Sequence, residues 1–409
     1  MTRIAIISDI HFGKFSRTLD FAVPGEIIQD QSEDIMPFEE GLRALLSDMK
    51  PDYFFLAGDL TSIGNPKEFI YCEKKIVSLA ECIGLSPTNI ICGLGNHDID
   101  WSISDLGRLN NSDHSQQLDI QVSEKYQYMA ANCAKFCLDI ILEPKKTGPV
   151  VFSGITESRD FIVFILNTSL YCGRDEEPSR GKVGAKQLEW FGEVAKQYKN
   201  DSRTKILLMH HHPRNYAYPI PTLDISTIEE GAEIIDIANN MGINIIIHGH
   251  RHHPYVETVQ TASGTRPISI ICAGSLSVNA DYRNEGEIPN TIHFLDVDSG
   301  RDYYELYNYQ YTGPEGWKPL IYNSKTAPLD HKMKIGKITN ENHEKEAIKK
   351  YADLEADLIR TKWEELDECL HFKLVKDVNE KFKEILSDRY SIIGKFPEEV
   401  ALIKRREIK

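Results

Sequence analysis

The sequence predicts an α/β layered fold, on three observations. From residue 1 to about 300, β-branched apolar runs alternate with segments of helical periodicity, the pattern of stacked sheets and helices. The longest wholly apolar stretches, such as Phe161 to Leu166, are strand-sized and far short of the ~20 residues that span a bilayer. Five short segments rich in Asp, Asn and His each follow a predicted strand, where layered α/β folds place their functional loops.

The first strand is expected at 3–8, because Arg3-Ile-Ala-Ile-Ile-Ser8 is too short for the apolar region of a signal peptide and reads as core. Further strands are expected at 53–57, 89–94, 161–166, 205–209, 243–248, 268–273 and 291–296. Helices are expected at 66–83, 122–139, 185–199 and 226–240. In the first of these, Ile76, Leu79, Ala80 and Ile83 recur at three- and four-residue steps. Residues 99–149 interrupt the alternation and carry Trp101, Arg108, Asp113 and His114, which predicts an inserted cap.

Around 311–340 the texture changes to Gly, Pro, Lys and Asn without clear strands. The expected organisation is therefore a catalytic domain over 1–310 and a C-terminal extension over 311–409, mostly helical from about 340. In that extension Ile348, Tyr351, Leu354, Leu358, Ile359, Trp363, Leu366 and Leu370 form an apolar stripe at helical spacing. Such a stripe must pack on the catalytic domain or serve as a homo-oligomer or protein-partner surface.

Composition narrows the class. With 41% apolar and 27% charged residues the chain is an ordinary globular sequence, so global disorder is excluded. A net charge of −15 opposes nucleic-acid backbones at long range, and a nucleic-acid role would need a local positive site. The eight cysteines are scattered without CxxC pairs, which suits reduced thiols in the cytoplasm.

The five segments are Asp9-Ile-His11, Gly58-Asp59, Gly95-Asn-His-Asp98, His210-His-His-Pro213 and Gly249-His-Arg-His252. Nine of the fourteen histidines lie in or beside them, which chance placement does not explain. Imidazoles, carboxylates and one carboxamide, with no thiolate, suit borderline divalent ions such as Mn, Fe, Ni or Zn. Asp9, His11, Asp59, Asn96, His210, His250 and His252 exceed what one tetrahedral ion needs. If Asp59 bridges, two ions gain four protein groups each and keep positions open for a water-derived nucleophile and substrate oxygens. Phosphoester hydrolysis is the natural reaction, with His97 placed to donate a proton to the leaving oxygen and Asp98 to orient its ring.

These blocks, in this order, resemble the calcineurin-like metallophosphoesterases, whose pattern is D-x-H, G-D, G-N-H-D/E, a strand-ending H and G-H-x-H. The match runs from residue 4 to about 300. The resemblance implies a four-layer β-sandwich flanked by helices, rather than a doubly wound parallel sheet. It implies Asp9, His11, Asp59 and His252 at one metal, Asp59, Asn96, His210 and His250 at the other, and His97 with Asp98 as the catalytic pair. His210 is preferred over His211 because it ends the run Ile206-Leu-Leu-Met209. Mn is the favoured metal.

Among branches of the family, Gly181-Lys-Val-Gly-Ala-Lys-Gln-Leu-Glu-Trp190 and the Met-His-His segment look most like the cyclic-nucleotide phosphodiesterases, so a nucleotide substrate is expected. Purple acid phosphatases add a metal-binding tyrosine, and Leu60-Thr61-Ser62 after Asp59 lacks one. A nuclease recruiting a partner through its C-terminal helices, and a non-catalytic scaffold on the same fold, are the alternatives. Arg214, His114, Lys182, Arg174 and Arg108, with His97, are candidate substrate contacts. For His248, His253, His293 and His114 the ordinary alternative is a hydrogen-bonded structural role, and for Cys133 and Cys137 it is packing.

Overall fold

The computed structural model describes residues 1–28, 37–99, 148, 152–172, 180–214, 226–259, 267–283, 287–299, 303–313, 315–323 and 329–336, and three strands beyond 357. The expected cap over 99–149 (Ile99 and Gly148 apart), the helix at 122–139, and Arg108, His114 and Arg174 lie outside the described residues. The chain divides into two compact units, Met1–Gly336 and Lys337–Lys409.

In the first unit the strands are β1 (Thr2–Ile7), β2 (Tyr53–Ala57), β3 (Ile90–Gly93), β4 (Gly154–Glu157), β5 (Phe161–Ile165), β6 (Thr204–Leu208) and β7 (Ile245–His248). They continue with β8 (Pro254–Val259), β9 (Ile268–Ala273), β10 (Asn290–Val297), β11 (Tyr303–Thr312), β12 (Gly316–Pro319) and β13 (Lys332–Gly336). Four helices are described: α1 (Phe38–Met49), α2 (Pro66–Glu81), α3 (Ala185–Gln197) and α4 (Gly231–Met241). One sheet has the order β12-β11-β10-β1-β2-β3 with β13 also on β11. The other runs β4-β5-β6-β7-β9-β8.

The period of two along each strand divides the apolar side chains between two layers. Ile4, Ile6, Phe55 and Ala57 of the first sheet meet Val163, Ile165, Ile206, Leu208, Ile245 and Ile247 of the second in a core between the sheets. The alternate residues Ala5, Ile7, Phe54 and Leu56 face α1 and α2, through Leu42, Leu46, Ile76 and Leu79. Phe164, Leu207 and Ile246 meet Phe191 of α3 and Ile234 of α4 on the opposite side. The result is four layers, helix–sheet–sheet–helix. At about 1.5–3 kcal/mol for each fully buried large apolar side chain, these three cores dominate the stability of the unit.

Local signals agree with the packing. Pro66 occupies the first turn of α2, and Asn65 caps it by accepting the Glu68 N–H at 2.9 Å. Helix α4 ends on Gly242 in the left-handed conformation, φ 73°. Among the described residues no helix is long and apolar enough to cross a membrane.

Three sequence expectations need correction. Helix α1 was not expected, although Phe38, Leu42, Leu45, Leu46 and Met49 recur at helical spacing and are buried. The boundary at 310 cuts β11, and the sheet runs on to Gly336. In β11 the inward residues Tyr304, Leu306, Asn308 and Gln310 include polar groups, which hid the alternation. Finally, β14 (Leu358–Lys362), β15 (Tyr390–Ile392) and β16 (Val400–Arg405) form an antiparallel sheet ordered β14-β16-β15. Strand β14 interrupts the helix expected across 348–370, where β-branched Ile359 and Thr361 favour extended backbone.

Strands β1, β2 and β3 are mutually parallel, as are β5, β6, β7 and β9. Their carboxyl ends therefore release all five polar segments at one edge of the sandwich.

Candidate metal centre

The backbone at this edge is bent where the polar residues sit. Of the seven described non-glycine residues with positive φ, five are Asp9 (48°), His11 (47°), Asp59 (51°), His250 (70°) and His252 (53°). Left-handed backbone is uncommon for such residues and collects at functional sites, where surrounding structure enforces it. Two glycines allow the close approach of the loops. A Cβ on Gly95 would collide with Asp59 Oδ1, and one on Gly249 with Ser8 Oγ and Asp9 Oδ2.

The side chains converge in two groups that share one carboxylate. Asp9, His11, Asp59 and His252 form the first, and Asp59, His210 and His250 the second, with one ligand-type atom from each residue lying within 4.8 Å of the others. In the first, His252 Nε2 is 3.1 Å from Asp9 Oδ1 and 3.3 Å from His11 Nε2. In the second, His250 Nδ1 is 3.3 Å from His210 Nε2. Asp59 Oδ2 stands between them, 3.2 Å from His210 Nε2 and 3.6 Å from His11 Nε2. It is buried without a well-directed hydrogen bond. Ring nitrogens this close to each other and to carboxylates need a proton or a cation between them, so the donor set fits divalent ions.

Neighbouring groups hold these side chains in ligand-competent form. Asp9 accepts Ser8 Oγ–H at 2.6 Å and the His250 N–H at 3.1 Å. Asp59 Oδ1 accepts the His97 N–H at 2.8 Å, which leaves Oδ2 turned to the rings. His210 Nδ1 donates to the Ala57 carbonyl at 2.7 Å, so Nε2 is the nitrogen facing Asp59. Burial and the nearby His97 hold His11 well below the usual imidazole range, and burial and His211 do the same for His250. Both are thus neutral donors. Burial also opposes charge on His210, but the Asp59 carboxylate outweighs it and lifts the imidazole to about 9 in the metal-free site. A bound cation would displace that proton.

Asn96 is buried at the start of the 3-10 turn Asn96–Asp98, the next residue of which binds Asp59. His97 lies edge-on to His11 with ring centroids 4.7 Å apart, and its Nδ1 meets the Ser62 carbonyl at 2.8 Å. Asp98, expected to orient that ring, is tied to the backbone of two neighbouring loops. Its Oδ1 accepts the N–H groups of Leu60 and Thr61 and the Thr61 hydroxyl, and its Oδ2 accepts the Gly95 N–H. Burial and the Asp59 charge push Asp98 up to about 7 against these bonds.

Of the two histidines left open after β6, His210 is the one grouped with Asp59 and His250. His211 turns instead to Thr168 Oγ1, 2.8 Å from its Nδ1, and packs on the His250 ring at 4.3 Å. His248 Nδ1 meets the Gly249 carbonyl and His293 bonds Asn308 and Ala273, while His253, which follows His252, is buried. Arg214 pairs with Glu257 at 3.5 Å and Lys182 with Glu229 at 2.8 Å, so both expected substrate contacts are engaged by carboxylates. Sequence reading missed Ser8, Ser62 and Phe15, which brace the cluster. Their residue types carry no special signal, and only their places mark them, Ser8 just before and Phe15 just after D-x-H, and Ser62 after G-D.

Residues 2–254 match the family model described as calcineurin-like phosphoesterase. No curated protein matches the chain. Among solved structures, the chain is similar to a dimetal phosphatase from Danio rerio, at 11% identity and TM-score 0.45, over 82% of this chain and 98% of that one. It is also similar to a purple acid phosphatase from yellow lupin, at 12% identity and TM-score 0.44, over 79% of this chain and 52% of that one. A NAD nucleotidase from Haemophilus influenzae matches at 12% identity and TM-score 0.35, over 78% of this chain and 48% of that one. With the family pattern matched across more than half of its length, the chain belongs to the calcineurin-like phosphoesterases.

Proposed function

We propose that this protein is a two-metal hydrolase of phosphodiester bonds, acting on cyclic or other nucleotides in the cytoplasm, with Mn the preferred ion. The observation that carries the reading is the meeting of two donor groups at one buried carboxylate, Asp59. Asp9, His11, Asp59 and His252 would hold one cation, and Asp59, Asn96, His210 and His250 the other. Such ions, when bound, supply Lewis acidity to the phosphoryl group and to the attacking water.

The chain's own groups do the rest. With Nδ1 donating to the Ser62 carbonyl, His97 presents Nε2 as the nitrogen that carries and releases a proton. Donation from there to the departing alkoxide contributes about 10²–10⁴ in rate for general-acid catalysis. Ser62 fixes the ring by also donating its Oγ–H to the His11 carbonyl at 2.7 Å. Asp98 acts as a positioning residue that ties the Gly95 turn to the Leu60-Thr61 loop.

The test is hydrolysis of bis(p-nitrophenyl) phosphate by purified protein supplied with Mn, compared with p-nitrophenyl phosphate. Turnover of the diester, abolished by chelation and by Asp59→Ala, supports the proposal. A metal-replete protein inert to both esters overturns it. Exclusive cleavage of the monoester overturns the diester assignment.

A further inference from the structure

We infer that His211 is a positioning residue: the face of its buried ring sets the orientation of His250 in the second donor group. The inference rests on the two-metal reading of the site and extends it to the side chain on which the geometry of one half depends.

Thr168, His211 and His250 follow β5, β6 and β7, three neighbouring parallel strands, and so form a row across the carboxyl edge of one sheet. Thr168 and His211 are fully buried. Thr168 Oγ1 accepts the His211 backbone N–H at 3.2 Å and lies 2.8 Å from its Nδ1. Having accepted that N–H, the hydroxyl still has its own hydrogen to donate, and Nδ1 is the acceptor it meets. The ring's N–H is then on Nε2, which faces Cys172 Sγ at 3.9 Å. Gly181 lies against the same ring, where a Cβ would collide with His211 Cγ.

Seated in this way, the His211 ring packs on His250 at a centroid distance of 4.3 Å and stands edge-on to His210 at 5.1 Å. The two imidazoles of that group differ in what else holds them. His210 is pinned by its Nδ1 bond to the Ala57 carbonyl. His250 turns Nδ1 towards His210, and among the described residues no group accepts a hydrogen bond from its Nε2. Metal-binding imidazoles ordinarily take their orientation from such an acceptor. For His250 the flat neighbour at 4.3 Å supplies the orientation, while the His212 ring lies farther off at 6.3 Å.

Three replacements separate the ring face from the hydrogen bond. His211→Phe keeps a flat ring and loses the bond to Thr168. His211→Asn keeps an acceptor for Thr168 close to the place of Nδ1 and loses the ring, and His211→Leu keeps apolar bulk without a flat face. Calorimetric titration of chelated protein with Mn should resolve two sites in the wild type. His211→Phe should leave both affinities within about threefold, whereas His211→Asn and His211→Leu should each weaken one site by about tenfold or more and spare the other, the scale of losing a group that orients a metal ligand. Crystals of the metal-free proteins give a second readout. There the His250 ring should keep its wild-type orientation in His211→Phe and turn away from His210 in the other two. Equal weakening in all three variants, or weakening in His211→Phe alone, assigns His211 to holding the fold through Thr168 and overturns the inference. So does an unmoved His250 in His211→Asn and His211→Leu. A wild-type protein that binds fewer than two ions counts against the function proposed above, and the metal-free crystals then still judge His211.

Discussion

His210 Nε2 faces Asp59 Oδ2 at 3.2 Å while its Nδ1 donates to the carbonyl of Ala57 at 2.7 Å. Ala57 ends β2 of one sheet and His210 follows β6 of the other, so this imidazole joins the two sheets at the point where the two donor groups share a carboxylate. Its position gives the cluster a measurable pH signature.

In metal-free protein, His210 is held at about 9, above the unfolded value of 6.5. A raised imidazole contributes stability that is fully present below pH 6.5 and is lost as pH rises through about 9. His11, His211 and His250 are depressed, so they act in the other sense and withdraw stability as pH falls below 6.5. Urea unfolding of chelated protein should show Asp59→Asn less stable than wild type at pH 6.5, by on the order of 3 kcal/mol. The gap should close towards pH 9, and a constant gap would contradict the pairing.

Metal addition should stabilise the wild-type protein, because ligation favours the folded state by about 2.7 kcal/mol at a hundredfold excess over Kd. Thermal melts with Mn should therefore shift upward for wild type. In Asp59→Ala, which removes the group common to both sites, the shift should vanish.

His97→Ala should slow hydrolysis of an alkyl leaving group by about 10²–10⁴ and that of p-nitrophenyl esters far less, since a good leaving group needs no proton. Single-turnover rates across a series of leaving groups measure this directly. Equal slowing would exclude proton donation as the role of His97.

Asp98→Ala should act first on the fold. Removing a buried carboxylate that accepts three backbone N–H groups and a hydroxyl leaves those donors unsatisfied, at about 3 kcal/mol. The loss of stability in urea should accompany weaker Mn binding, because the Gly95 turn carries Asn96. Full stability with reduced turnover would return Asp98 to a direct catalytic role.

Much of the catalytic unit was legible in the chain. Strongly apolar strands such as 161–166 and 243–248 announced themselves, because burial on both faces leaves no polar residue to confuse the pattern. Strands β8 and β11 did not, since Glu257 and Asn308 interrupt the apolar run and become acceptable only beside partners such as Arg214 and His293. The helical stripe across 348–370 misled for the opposite reason. Leu358 and Ile359 satisfy a helical spacing, yet strand pairing of Leu358–Lys362 with Val400–Arg405 depends on residues far along the chain, Leu358 opposite Lys404 and Lys362 opposite Val400.

The sequence by itself determined which residue types bear the chemistry, and in which order, because carboxylates and imidazoles after strand ends have few other uses. The alternation of apolar strands and helices marked a layered fold, while the division of the strands into two stacked sheets was implied only by the family resemblance. Only the tertiary structure decided which histidine of the triple meets Asp59, that Asp98 ties loops together and that His211 packs on His250. Those outcomes depend on the direction in which each side chain leaves a left-handed or turning backbone, and that direction is imposed by long-range pairing between sheets rather than by any residue's neighbours in the chain.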